Sequence, residues 1–153
     1  MKSGLSASLA TAVLLVSAGS IAWAATPADT IKARQANFKQ IGRANKALRD
    51  ELAKPTPSLA VLRAGAADLQ KASAHVVHHF PKGSGPESGA TTKALPAIWQ
   101  RNAEFRQRAT AFTNATGALL KATRGTNVPA IQTAYKAVPG TCKACHDSFR
   151  AQD

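Results

Sequence analysis

In the last part of the chain, Ile131, Tyr135, Val138, Cys142, Cys145 and Phe149 follow one another at intervals of 4, 3, 4, 3 and 4 residues. Side chains at that alternation share one face of an α-helix, because a turn takes 3.6 residues. Two earlier stretches keep the same rhythm. One runs through Leu62, Ala66, Leu69, Ser73, Val76 and Phe80; the other through Ile98, Asn102, Phe105, Ala109, Phe112, Thr116 and Leu119, with Trp99 on the same broad face. A first stretch carries Ile31, Phe38, Ile41, Leu48 and Leu52 on one apolar stripe. Nowhere is there the sustained alternation of β-branched and polar residues that marks a strand. Four amphipathic helices hide their stripes by turning them toward one another. The expected fold is all-α, an antiparallel four-helix bundle.

Helix-breaking and capping residues divide these stretches. Thr26-Pro27-Ala28-Asp29 opens the first helix, with Thr26 as cap, Pro27 at the first helical position and Asp29 in the first turn. It should run to about Ala53, before Pro55 and Pro57. Ser58 caps the second, which Pro81 ends; the segment through Lys93 is rich in Gly, Ser, Pro and Thr and reads as a loop. The third is expected from Pro96 to about Lys121, and Asn127 caps the last. Pro139-Gly140 should kink or loosen that last helix.

The two cysteines of the final stripe belong to Cys142-Lys143-Ala144-Cys145-His146. C-x-x-C-H is the attachment pattern of a c-type haem: the thiols become thioethers, and the histidine gives a ring nitrogen to the iron. On a helix, Cys142 and His146 stand one turn apart on one face, with Cys145 beside them. A redox dithiol would want a βαβ setting, which is absent. Zinc would want four N or S ligands, and the chain has only these two cysteines. One haem c per chain is therefore expected, held by Cys142 and Cys145 with His146 as axial ligand. Arg34 interrupts the first apolar stripe, and a buried arginine needs an anionic partner. A haem propionate is one available partner; the alternative is a guanidinium that reaches out to water.

Lys2, the apolar run Leu9 to Ile21 and Ala22-Trp23-Ala24 read as an export signal with its cleavage site. Residues 1–24 are taken as a cleaved signal peptide and 25–153 as the domain, which leaves no membrane span and a periplasmic protein. Loss of Lys2 lowers the formal charge from +12 to +11. Such a surface suits an acidic redox partner; no nucleic-acid motif accompanies it. His75, His78 and His79 cluster near the end of the second helix, where helix-end histidines are the plainer reading than metal ligands. Met1 is the only methionine and leaves with the signal, so the commonest second ligand of a c-type iron is missing. An open or sterically covered sixth position is favoured over a lysine or histidine ligand. Acid–base residues on the apolar stripes, which an enzyme would need, are also missing.

The chain as a whole resembles the cytochrome c′ family. The likeness rests on Cys-Lys-Ala-Cys-His-Asp-Ser-Phe-Arg at 142–150, the Arg34-Gln35 pair, Phe80-Pro81, the Gly-rich loop, Pro96-Ala97-Ile98-Trp99 and Phe105. It implies that Arg34 and Gln35 lie near the propionates, that Phe38 is the distal residue, and that Phe80 contacts the haem. It implies that Arg150 lies on the proximal side and that Lys93 occupies a further contact position. Low-spin members carry a methionine where this chain has Phe38; the resemblance implies that a phenyl ring here would shield the iron without binding it. The resemblance also implies binding of nitric oxide and carbon monoxide at a five-coordinate iron, weak affinity for oxygen, and homodimers, usually formed through the first two helices.

Overall fold

The structure is a computed structural model that describes residues 25–152. The expected signal peptide, residues 1–24, lies outside the described residues. Helix α1 spans Pro27–Leu52, α2 Leu59–Ala74, α3 Ala97–Gln100, α4 Asn102–Ala122 and α5 Val128–Phe149. Single 3-10 turns occupy Val76–His79 and Pro86–Ser88. The four long helices form the expected all-α bundle: α1 packs on α2, α2 on α4, and α4 on α5. None of the described helices is long and apolar enough to cross a membrane.

The caps are where the sequence puts them. The Thr26 hydroxyl accepts from Asp29 N at 3.1 Å while the Asp29 carboxylate accepts from Thr26 N at 3.3 Å, a reciprocal capping box. Asn127 Oδ1 accepts from Ala130 N at 3.0 Å at the start of α5. The link from α1 to α2 is fixed by a buried carboxylate: Glu51 accepts from Ser58 N at 2.7 Å and from Lys54 Nζ at 2.6 Å.

Three local expectations change. The second helix leaves α geometry at His75, tightens into a 3-10 turn and stops at Phe80, whose φ of −125° and ψ of 53° are non-helical. A residue before proline is pushed out of the helical region, and Phe80 precedes Pro81. The third helix is two pieces, because the backbone turns out of helix at Arg101 (φ −113°, ψ 47°). Asn102 is consequently exposed, and its side chain donates to Ile98 O at 3.4 Å at the end of α3. Helix α5 stays continuous through Pro139 and Gly140, both exposed. Only the Tyr135 carbonyl loses its usual donor there, on a side that water reaches.

Leu62, Leu69, Leu119, Ile131 and Val138 are wholly buried at the centre. Between α2 and α4 the Ser73 and Thr116 hydroxyls meet at 2.8 Å, and Thr116 donates to Gln70 Oε1 at 2.6 Å. This buried polar group fixes the register of the two helices, since a shift would leave hydroxyls without partners. Helices α1 and α5 instead face each other across a cavity. They are bridged toward one end, where the Tyr135 hydroxyl donates to Asn45 Oδ1 at 3.0 Å and Gln132 Nε2 donates to Leu52 O at 3.5 Å.

Candidate functional site

The cavity has a volume of about 700 Å³ and is lined from all five helices, the 76–80 turn and the 91–94 segment. All nine residues singled out from the sequence line it: Arg34, Gln35, Phe38, Phe80, Lys93, Cys142, Cys145, His146 and Arg150. Its deeper wall is apolar, with Leu69, Val76, Ile98, Phe112 and Val138. Among the described residues the lining includes Arg34, Lys39, Lys93 and Arg150 but no Asp or Glu. A large apolar space edged by cations suits a flat apolar ring system that carries anionic groups.

Helix periodicity brings the α5 residues together. Cys142 and Cys145 are half-buried free thiols, and His146 is half-buried beside them. Burial pushes both thiols up, Cys145 to about 11 with Cys142 adding to the effect. Reactive redox cysteines are displaced the other way, so the dithiol reading finds no support. Among the described residues no group of three or more His, Cys, Asp or Glu side chains is placed to hold a metal ion. Burial, with Arg150 close by, pushes the His146 imidazole down; Asp147 opposes this. The neutral ring, the form that ligates a metal, is thereby favoured. Two thiols and an imidazole on the wall of an apolar cavity of this size fit a covalently attached haem.

The end of the cavity near Arg34 is built by the loop. Arg34, only 3% exposed, donates from Nη2 to Ser84 O at 3.0 Å and to Thr92 Oγ1 at 2.8 Å. Its Nη1 donates to Ser84 Oγ at 3.2 Å and to His79 O at 3.3 Å. The guanidinium carbon also lies 4.6 Å from the centre of the Phe80 ring. No carboxylate among the described residues forms an ion pair with it; Glu87 only partly offsets the downward push that burial exerts on the guanidinium. The anionic partner expected from the sequence is thus replaced, within the chain itself, by neutral oxygens. Beside it, Gln35 Nε2 donates to Thr91 O at 3.1 Å.

Aromatic rings link the α1 wall to the end of α5. Phe38 meets Phe80 edge-on at 6.3 Å, Phe80 meets Phe105 at 4.8 Å, and Phe105 meets Phe149 at 5.5 Å. Trp99 holds the Phe80–Pro81 turn by donating from its indole to Phe80 O at 3.2 Å and Pro81 O at 3.0 Å. Lys93 and Arg150 come together because the chain pairs there: Leu95 N donates to Phe149 O at 3.0 Å and Ala151 N to Lys93 O at 2.8 Å. His75, His78 and His79 do not line the cavity; His75 and His78 are exposed.

The sequence did not reveal Ser84, Thr92, Lys39, Gly42 or Asn45 as part of this region. Ser84 and Thr92 sit in a loop whose composition resembles any polar loop. Gly42 had a signal, a glycine in the middle of a strongly helical stretch.

A family model described as Cytochrome C' matches residues 29–150. The cytochrome c' of Rhodopseudomonas palustris is 34% identical over 154 residues, covering 94% of this chain and 96% of that protein. Cytochrome c-554 of Cereibacter sphaeroides is 34% identical over 74 residues, so the chain aligns with about half of that relative, 48% of its length. Among solved structures, the nitric oxide complex of a mutant cytochrome c prime from Alcaligenes xylosoxidans superposes with a TM-score of 0.76 at 26% identity. It covers 84% of this chain and 98% of that one.

Proposed function

Because this chain belongs to the cytochrome c′ family and carries a covalently attached haem c, we propose that it is a periplasmic gas-binding haem protein that can also pass electrons. Cys142 and Cys145 would hold the haem through thioethers, and His146 would be the axial ligand. When bound, the haem would supply an iron able to take nitric oxide or carbon monoxide and to change oxidation state. The chain supplies the surroundings. Arg34 and Gln35 give cationic and amide N–H groups at the end where the propionates would lie. Phe80 and the apolar wall keep water from the ring. Arg150 would lie on the proximal side, and Lys93 would be a further contact near the end of α5.

The observation that carries this reading is the position of Phe38. It lies on the α1 wall of the cavity whose α5 wall bears His146, and it has no atom able to ligate iron. Among the described residues His146 is the only histidine on the wall and no methionine lines it. The absence of a hydrogen-bond donor on Phe38 also disfavours oxygen, which is polar when bound. The nitric oxide complex of the Alcaligenes xylosoxidans relative points to the same ligand class. A second reading rests on Lys39 and Lys93, which also line the cavity: a low-spin electron-transfer cytochrome with a lysine as sixth ligand. Residues 1–24 would be the signal that exports the 25–153 domain. The exported protein would pair as a homodimer and meet acidic redox partners through its positive charge.

The absorption spectrum of the reduced protein separates the readings. A broad high-spin Soret band that shifts on adding carbon monoxide is expected. A sharp low-spin spectrum that carbon monoxide leaves unchanged would reject the gas reading in favour of the lysine-ligated one.

A further inference from the structure

The last turn of α5 leaves carbonyls that the helix itself cannot satisfy. Two of them find donors in the segment that precedes α4. Leu95 N donates to Phe149 O at 3.0 Å, and Arg101 Nη2 donates to Ser148 O at 3.4 Å. The Arg101 guanidinium carbon also lies 5.1 Å from the centre of the Phe149 ring. Its Nη1 donates to Glu104 Oε2 at 2.8 Å, which ties the same side chain to the first turn of α4. A cation at this place meets the negative end of the α5 dipole. Arg101 is itself the residue at which the backbone leaves helix between α3 and α4, so the break presents a side chain that clasps the neighbouring helix end. The ion pair from Lys143 to Asp147, by contrast, stays within α5. His146 stands on the turn that is clasped: its carbonyl accepts from Arg150 N at 3.1 Å. Helix ends open locally when little holds them, and an open last turn would carry the imidazole with it. Arg101 is not part of the cavity lining, and all these contacts are made inside the chain.

We propose that Arg101 is a positioning residue for His146: by capping Ser148 O and covering the Phe149 ring it holds the last turn of α5, and with it the direction of the imidazole. The inference rests on the reading above of His146 as the axial ligand. Arg101 acts through the helix end, from outside the cavity.

The test compares Arg101→Ala with the unsubstituted protein, both haem-loaded and reduced. Amide hydrogen exchange reads the helix end, and the iron–histidine stretching band in the resonance Raman spectrum reads the ligand. In Arg101→Ala the Arg150 amide should exchange roughly tenfold faster, the loss of one dipole contact and one cation–π contact together. The stretching band should shift and broaden, which a residue that only stabilises the fold would not cause. Arg101→Lys should recover part of both effects, because an ammonium keeps the charge and loses the planar face that lies over the ring. Glu104→Gln, which releases the guanidinium from α4, should give the same changes in smaller measure, and it decides the matter in the same way if Arg101→Ala fails to load haem. Lys121→Ala, which removes the same charge at the far end of α4, should change neither readout. Unaltered exchange in Arg101→Ala overturns the clasp. Faster exchange with an unaltered band overturns the positioning role and leaves a structural cap. A band that shifts equally in Lys121→Ala overturns it too, since net charge would then be the cause. An unsubstituted protein that shows no iron–histidine band overturns the reading of His146 at a five-coordinate iron instead.

Discussion

Arg34 and Ser84, fifty positions apart in sequence, are joined by two hydrogen bonds: Nη1 to the Ser84 hydroxyl oxygen at 3.2 Å and Nη2 to its carbonyl at 3.0 Å. Ser84 spends its own hydroxyl hydrogen on Pro81 O at 2.8 Å, which leaves that oxygen free to accept. The same guanidinium also holds His79 O and Thr92. One side chain from α1 thereby pins both ends of the 79–92 loop over the cavity. A buried cation serves here as a structural bolt, in addition to any role toward an anionic ligand.

Replacing it should be costly. Arg34→Leu removes the donor from several buried acceptors at once, and a loss of about 3 kcal/mol is expected in urea unfolding of the haem-loaded protein. Arg34→Lys should recover only part of this, because an ammonium lacks the planar fork that reaches His79, Ser84 and Thr92 together. A loss below about 1 kcal/mol for the leucine variant would mean that water replaces the guanidinium at little cost.

Glu51 gives a pH dependence with a definite sign. The Lys54 hydrogen bond, then that from Ser58 N, hold its carboxyl below the ordinary value of 4.5. A group whose folded value is depressed stabilises the fold above its unfolded value and loses that contribution as pH falls through the folded one. Stability should therefore decline as pH drops below about 4.5. Glu51→Gln should flatten that part of the curve, measured by thermal unfolding between neutral and acid pH. An equally steep acid decline in the variant would show that other carboxyls, such as Asp29 and Asp50, carry it.

Phe38 should control access to the iron. Phe38→Ala is expected to speed carbon monoxide association by roughly tenfold, about 1.4 kcal/mol of barrier. Phe38→Met should place a thioether where low-spin members of the family carry theirs. Its reduced spectrum should become low-spin and its response to carbon monoxide weak. An unchanged rate in the alanine variant, together with an unchanged spectrum in the methionine variant, would remove Phe38 from the distal position.

Much of the fold was readable because helices announce themselves locally. The Thr26, Ser58 and Asn127 caps, the proline breaks and the 4-3 rhythm depend on neighbours a few residues away. The failures were also local, but they turned on competition. At Asn102 the rhythm predicted a core position, yet a break at Arg101 turned that side chain toward the carbonyl of Ile98. At Pro139 the usual breaker was tolerated, since the orphaned Tyr135 carbonyl is on a side of α5 that water reaches. The nine site residues were found through a motif and a family likeness. Their convergence on one cavity, with Lys93 brought to Arg150 by the Ala94–Arg150 bridge, needed the fold.

By itself, the sequence determined four amphipathic helices and put Cys142, Cys145 and His146 on the buried stripe of the last one. Both follow from covalent order and helical period, which act over a turn or two. The tertiary structure alone decided what faces those residues. It parted α1 from α5 to leave a cavity, set Phe38 across it, and satisfied Arg34 with Ser84, Thr92 and His79 from a distant loop. These are contacts between segments tens of residues apart, and they depend on how whole helices pack rather than on any run of neighbouring residues.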